Sequence, residues 1–212
     1  MHVNESVWKR IVWLYGLHTI LWNFFFAVSY YLLPEGFMRS SPQVAVGRAV
    51  VSEDSFAGQF GLTLLFNIGV VAVLGVVLNC NQVRGFPVGY LIPIALGVTS
   101  GLILGTNSFA ASDLSRVTAL DGLALGITIG GLEMMGYILV IAATVKLGIY
   151  QYRSWWRWSG EYKAIKAMRF RDVRLSRHEV YSLVCGVLLI LLGAYNETMM
   201  SLGAMPSRAP VP

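Results

Sequence analysis

The sequence predicts an all-α, polytopic transmembrane helix bundle of five spans, and three observations predict it. Of 212 residues, 56% are hydrophobic and only 13% are charged, about half the ~25% charged residues of a soluble domain. Too few polar side chains remain to coat a water-facing surface. Five apolar stretches, each near the roughly 20 residues that cross a ~30 Å hydrocarbon core as helix, are separated by polar or basic breaks. The Lys and Arg residues gather in alternate breaks, as an inside–outside alternation requires.

The first stretch, residues 11–33, follows Lys9-Arg10. Its apolar run exceeds the ~7–15 residues of a signal h-region and no small-x-small cleavage site follows, so it is expected to stay attached as a span. The others are residues 57–79, 88–109, 122–145 and 180–202. The loops between them are too short to bury cores of their own, which makes the chain a single transmembrane domain.

With the N-terminus inside, the inner segments hold Lys9, Arg10, Arg84, Lys146, Arg153, Arg157, Lys163, Lys166, Arg169, Arg171, Arg174 and Arg177. The outer ones keep Arg39, Arg48, Arg116 and Arg208. The sequence therefore predicts N-in and C-out in the cell (cytoplasmic) membrane, because basic residues are retained on the cytoplasmic side. Topology accounts for the +5 net charge, and no nucleic-acid partner is expected. Cys80 and Cys185 map to the inner side, where thiols stay reduced.

Residues 150–179 form a basic cytoplasmic segment that opens with Tyr152, Trp155, Trp156 and Trp158 and continues through Lys163, Lys166, Arg169 and Arg171. Aromatic rings with a polar tip settle at headgroup depth, and each basic residue near an anionic leaflet contributes ~1 kcal/mol. A helix over about residues 160–177 lying on the inner surface fits this composition. Its role is either a topological marker or a docking platform for the membrane surface or a protein partner.

The third span carries Gly97, Gly101 and Gly105, and the fourth Gly122, Gly126 and Gly130. Residues four apart share a helix face, so each span offers a groove for close helix packing. Glu133, three residues after Gly130, is placed on that face about half-way through the fourth span. A carboxyl at this depth is expected to be protonated or held by donors. Asn23, Asn67, Thr99 and Ser100 lie at similar depth and complete an intramembrane polar cluster. The cluster serves either as a clamp that fixes helix register or as a substrate or proton site. Glu197 is read as reaching headgroups or water.

No catalytic motif accompanies these features. There is no Walker A loop, no H-E-x-x-H and no His and Cys cluster, so no enzyme, cofactor or metal is expected. His18, the one histidine inside a span, is read as bonding a neighbouring helix.

Phe66-Asn67, the third-span glycines, and Gly130-Gly131-Leu132-Glu133 followed by an apolar helix to Lys146-Leu147-Gly148 resemble the stage II sporulation protein M family from the second to the fourth span. Thr128-Ile129-Gly130 stands where that family commonly has Pro-His-Gly. The resemblance implies an integral membrane component without catalytic chemistry, a scaffold for a multi-protein complex. The expected partners are the lipid bilayer and protein subunits, and homo-oligomerisation stays open. The alternative is a permease or channel component using Glu133.

Overall fold

The computed structural model describes residues 6–109, 130–155 and 164–204, with side chains to residue 202. Helix α1 (Val7–Leu32) begins where the Ser6 hydroxyl accepts from the Lys9 amide, one of the orphan donors of a helix start. A short outer helix, α2 (Pro42–Val51), is capped in the same way by Ser41, with proline at its first position. Helix α3 (Phe56–Asn79) is capped by Ser55 and widens to a π-helix over Leu65–Ala72. Helix α4 (Val88–Gly105) opens with a 3-10 turn over Val88–Tyr90. Helices α5 (Gly131–Ala143) and α6 (Arg177–Ala204) follow.

Helices α1, α3, α4 and α6 are long and apolar enough to cross a membrane. Of the fourth span expected at 122–145, residues 122–129 lie outside the described residues, and the described helix covers Gly131–Ala143. Two span ends also shift for local reasons. The third stops at Gly105 rather than 109, because Asn107 takes a left-handed conformation (φ 52°) that breaks the helix. The fifth starts at Arg177, because Ser176 and Glu179 form a capping box: the Ser176 amide reaches Glu179 Oε2 at 2.8 Å, and the Glu179 amide reaches Ser176 Oγ at 3.4 Å.

Inter-helix contacts fix the directions. His18, Trp22 and Phe26 of α1 meet Gly97, Gly101 and Gly105 of α4 in rising order, so these helices run parallel. Asn67 and Asn79 of α3 bond Glu133 and Ile141 of α5, again parallel. Gly136 of α5 meets Gly186 of α6 while the later Leu139 meets the earlier Ser182, so α5 and α6 are antiparallel. Arg10 bonds Glu179, which sets the start of α1 beside the start of α6.

The middle of this arrangement is α5, whose residues from Gly136 to Ala143 are all buried. Around it pack Ile11, Leu14, Ala72, Tyr90 and Ile190. The outward faces of the other helices are apolar as well. Val12 is 72% exposed, Ile20 67%, Val77 54% and Leu188 57%. Exposed apolar area on this scale marks a surface that meets something other than water, and lipid satisfies it.

One end of the bundle is closed by a small sheet of strands β1 (Asn81–Val83), β2 (Phe86–Pro87), β3 (Tyr150–Tyr152) and β4 (Ile165–Lys166). The order is β2-β1-β3-β4, with β1 and β3 parallel and both outer pairs antiparallel. This corrects the surface helix expected over residues 160–177. Its described part is strand β4 and a 3-10 turn at Phe170–Asp172, because Ile165 and Lys166 find ladder partners in Gln151 and Tyr150.

Candidate functional site

Two polar constellations stand out, one inside the bundle and one at the sheet-capped end. Inside, Glu133 occupies the first turn of α5, where a carboxyl is favoured by the helix dipole. Asn67, in the π-helical part of α3, donates Nδ2–H to Glu133 Oε1 at 2.5 Å. From α6, the Glu197 carboxyl lies near that of Glu133. Gly193, one turn before Glu197, has Glu133 Cγ against the place a side chain would occupy. The glycine thus admits the acid between α5 and α6.

The five-residue cluster read from depth is therefore only partly assembled. Glu133 and Asn67 meet. Asn23 is exposed and donates to the Thr19 carbonyl of its own helix at 2.8 Å. Ser100 accepts from Gln43 Nε2 of α2 at 3.2 Å. Thr99, half-buried on α4, makes no described hydrogen bond to Glu133. Counting along spans gives depth but not azimuth, and these three lie on helices whose polar faces turn elsewhere. Glu197, read as reaching headgroups, is instead the second acid of the pair. The rule that singles out an intramembrane acid applied to it equally.

The glycines divide similarly. A Cβ at Gly101 would stand 2.6 Å from the Trp22 carbonyl oxygen, and one at Gly97 3.0 Å from His18 Nδ1; Gly105 approaches Phe26 and Ser29. The Ser29 hydroxyl donates to the Gly101 carbonyl at 3.2 Å, and His18 Nδ1–H to the Pro93 carbonyl at 2.9 Å. Gly130 is exposed and stands at the N-cap of α5. Close approach on α5 falls to Gly136, where a Cβ would meet the Gly186 carbonyl at 2.8 Å. Gly122 and Gly126 lie outside the described residues, as do Trp156, Trp158 and Lys163.

At the capped end, Arg10 Nη2 donates to Glu179 Oε1 at 2.6 Å and Lys146 Nζ to Glu179 Oε2 at 2.8 Å. Arg10 and Glu179 are almost fully buried, at 1% exposure each. The starts of α1 and α6 and the chain just beyond α5 are thereby tied at one carboxylate. The sequence reading had counted Arg10 and Lys146 only as topological charges; the Ser-x-x-Glu pattern at 176–179 was the available signal for the acid that binds them.

Above this tie lie the sheet and the chain leading to α6. Lys166, Arg169 and Arg171 are exposed. Phe170 among them is 68% exposed and Ile165 47%. Trp155, 46% exposed, has its ring 5.7 Å from that of Phe86. Among the described residues no group of three or more His, Cys, Asp or Glu could hold a metal.

Comparison of the chain with family models, with curated proteins and with solved structures finds no match.

Proposed function

We propose that the protein is a non-enzymatic integral membrane subunit or scaffold of a multi-protein complex, of the kind its resemblance to stage II sporulation protein M implies. In this reading it crosses the cell membrane five times, with the N-terminus and the sheet-capped end in the cytoplasm. The observation that carries the reading is the combination at that end: a sheet tied to the bundle, bearing Lys166, Arg169 and Arg171 around the exposed ring of Phe170. Aromatic and Arg side chains together are the anchors by which protein surfaces bind one another. Membrane orientation and docking account for the basic charge without nucleic acid.

A photo-crosslinking residue placed at Phe170 is expected to give discrete protein adducts in cells, and one at Leu188, on a lipid-facing turn of α6, none. Adding K166Q, R169Q and R171Q to the Phe170 variant should reduce those adducts. Absence of adducts at Phe170, or equal adducts at both sites, would remove the docking reading.

A second reading, a permease or channel component, is favoured by one specific observation. Two carboxyls, Glu133 and Glu197, lie near one another between α5 and α6, and intramembrane acids mark proton or cation paths. Clamp and transport site separate at Glu133, as argued below.

A further inference from the structure

Beside the docking surface, between β1, β3 and β4, lies a cleft of about 400 Å³ lined by Arg84, Gly85, Gln151, Tyr152, Arg153 and Ile165. This falls within the ~300–1,000 Å³ of small-ligand sites. Arg84 and Gly85 are the two central residues of the β1–β2 hairpin, and both have positive φ, 52° and 78°. Two such residues make the tight turn that suits a two-residue hairpin, yet arginine is a poor occupant of the left-handed region. Two bonds hold it there. The Arg84 amide donates to the Tyr152 carbonyl at 2.9 Å, and Nε–H donates to the Arg153 carbonyl at 2.7 Å. The guanidinium is thus fixed through its inner edge. Its terminal nitrogens, and the whole guanidinium of Arg153, bond to no described group. The described ion pairs lie elsewhere, both on Glu179. Both arginines are exposed and no described acid lines the cleft with them, so an anion there meets guanidiniums that no described carboxylate pairs.

The place of the cleft selects the anion. Arg84 stands five residues beyond the end of α3 and four before the start of α4. The Trp155 ring lies 5.7 Å from that of Phe86 beside it, tilted by 58°, and tryptophan settles at headgroup depth. On the same ends of the two helices, Val77 is 54% exposed and Leu91 41%, an apolar flank that leads from the cleft toward the hydrocarbon. We infer that the Arg84–Arg153 cleft is a binding site for the phosphate of an anionic phospholipid headgroup. The acyl chains lie along the exposed ends of α3 and α4, and the guanidiniums clamp the phosphate as Arg does wherever planar donors meet phosphate oxygens. The inference rests on the membrane reading of the apolar helices and not on protein docking.

The test is lipid retention by the purified full-length protein in detergent, read by native mass spectrometry during titration with phosphatidylglycerol or with phosphatidylcholine of the same chains. Phosphatidylglycerol should be retained in preference. R84N, chosen because asparagine tolerates positive φ, and R153Q should each weaken that retention about fivefold, the change for one basic residue at an anionic surface. The triple variant K166Q/R169Q/R171Q should retain the lipid as the parent does. Should R84N melt at a much lower temperature, R153Q carries the comparison, since the Arg153 side chain makes no described bond. Equal retention of both lipids, or equal weakening by the triple variant, would overturn the site in favour of diffuse charge. Displacement by inorganic phosphate at the lipid's own concentration would overturn the lipid as its occupant.

Discussion

Glu133 and Glu197 place two carboxyls close together between apolar helices, and the bond Glu133 accepts from Asn67 sets what substitutions should do. A glutamine at position 133 keeps an oxygen to accept from Asn67 Nδ2 and gains N–H donors for Glu197. It removes only the capacity to ionise. Leucine leaves both partners stranded. Glu133→Gln should therefore melt in detergent close to the parent, whereas Glu133→Leu should lose about 1–3 kcal/mol, the penalty of unpaired buried polar groups. Complementation of a deletion strain reads the role. A clamp survives the glutamine change; a proton or cation site loses function in a protein that remains folded. The other buried carboxylate, Glu179, differs in kind. With Arg10 and Lys146 as counter-charges, it pairs fully and has no proton to share. Chain position already hints at this contrast, since Glu179 sits beside basic residues in sequence and Glu133 among apolar ones.

Among the elements, α1 and α4 are joined by glycine rather than by interlocking side chains, a geometry suited to lipid, where packing and not water exclusion holds helices together. A methyl group at Gly101 would stand 2.6 Å from the Trp22 carbonyl oxygen and 3.0 Å from the Phe26 amide nitrogen. Backbone cannot rotate aside, so the helices must part. Gly101→Ala should lower stability by about 1–3 kcal/mol, as overpacking does. Gly16 and Gly61, also helical, have nothing within 4 Å of a built Cβ. Alanine there should be neutral or raise stability by up to ~1 kcal/mol through helix propensity. Melting temperatures of the three variants in one detergent decide it, and equal losses would mean that close approach at Gly101 is not what binds α1 to α4. The four-residue spacing made the third-span face legible in the sequence. Gly136, six residues after Gly130, and Gly186, seven before Gly193, fall outside the four-residue spacing and became visible only once α5 and α6 were seen to pack. The sheet was illegible for a related reason. Its strands are two or three residues long and acquire their conformation from partners distant in sequence, while the local composition of residues 160–177 reads as an amphipathic helix.

For the whole molecule, apolar composition announced the class, and the helix directions follow an alternating order. Helices α1, α4 and α6 run one way and α3 and α5 the other, as shown by the Gly97, Asn67 and Arg10 contacts. Helices α1 and α4 thus lead away from the capped end, α3 and α5 lead back to it, and α6 leads away again. The basic residues Arg84, Arg153, Lys166, Arg169, Arg171 and Arg174 all belong to segments joined at the capped end. On the proposed membrane reading, retention of positive charge in the cytoplasm is expected to orient the bundle with the sheet inside. At the opposite end, Asn107 bonds Glu35 at 2.8 Å, and exposed Ser40 follows in the segment toward α2. The orientation is measured with a membrane-impermeant maleimide in intact cells, on a background in which Cys80 and Cys185 are replaced by serine. A thiol at Ser40 should be modified and a thiol at Ala167, exposed on the segment after β4, should react only after the cells are opened. Reversal of that pattern would invert the orientation and put the docking surface and the Arg84–Arg153 cleft outside. Labelling of both sites in intact cells would break the link between the two ends, because the alternating directions require an odd number of crossings between residues 40 and 167.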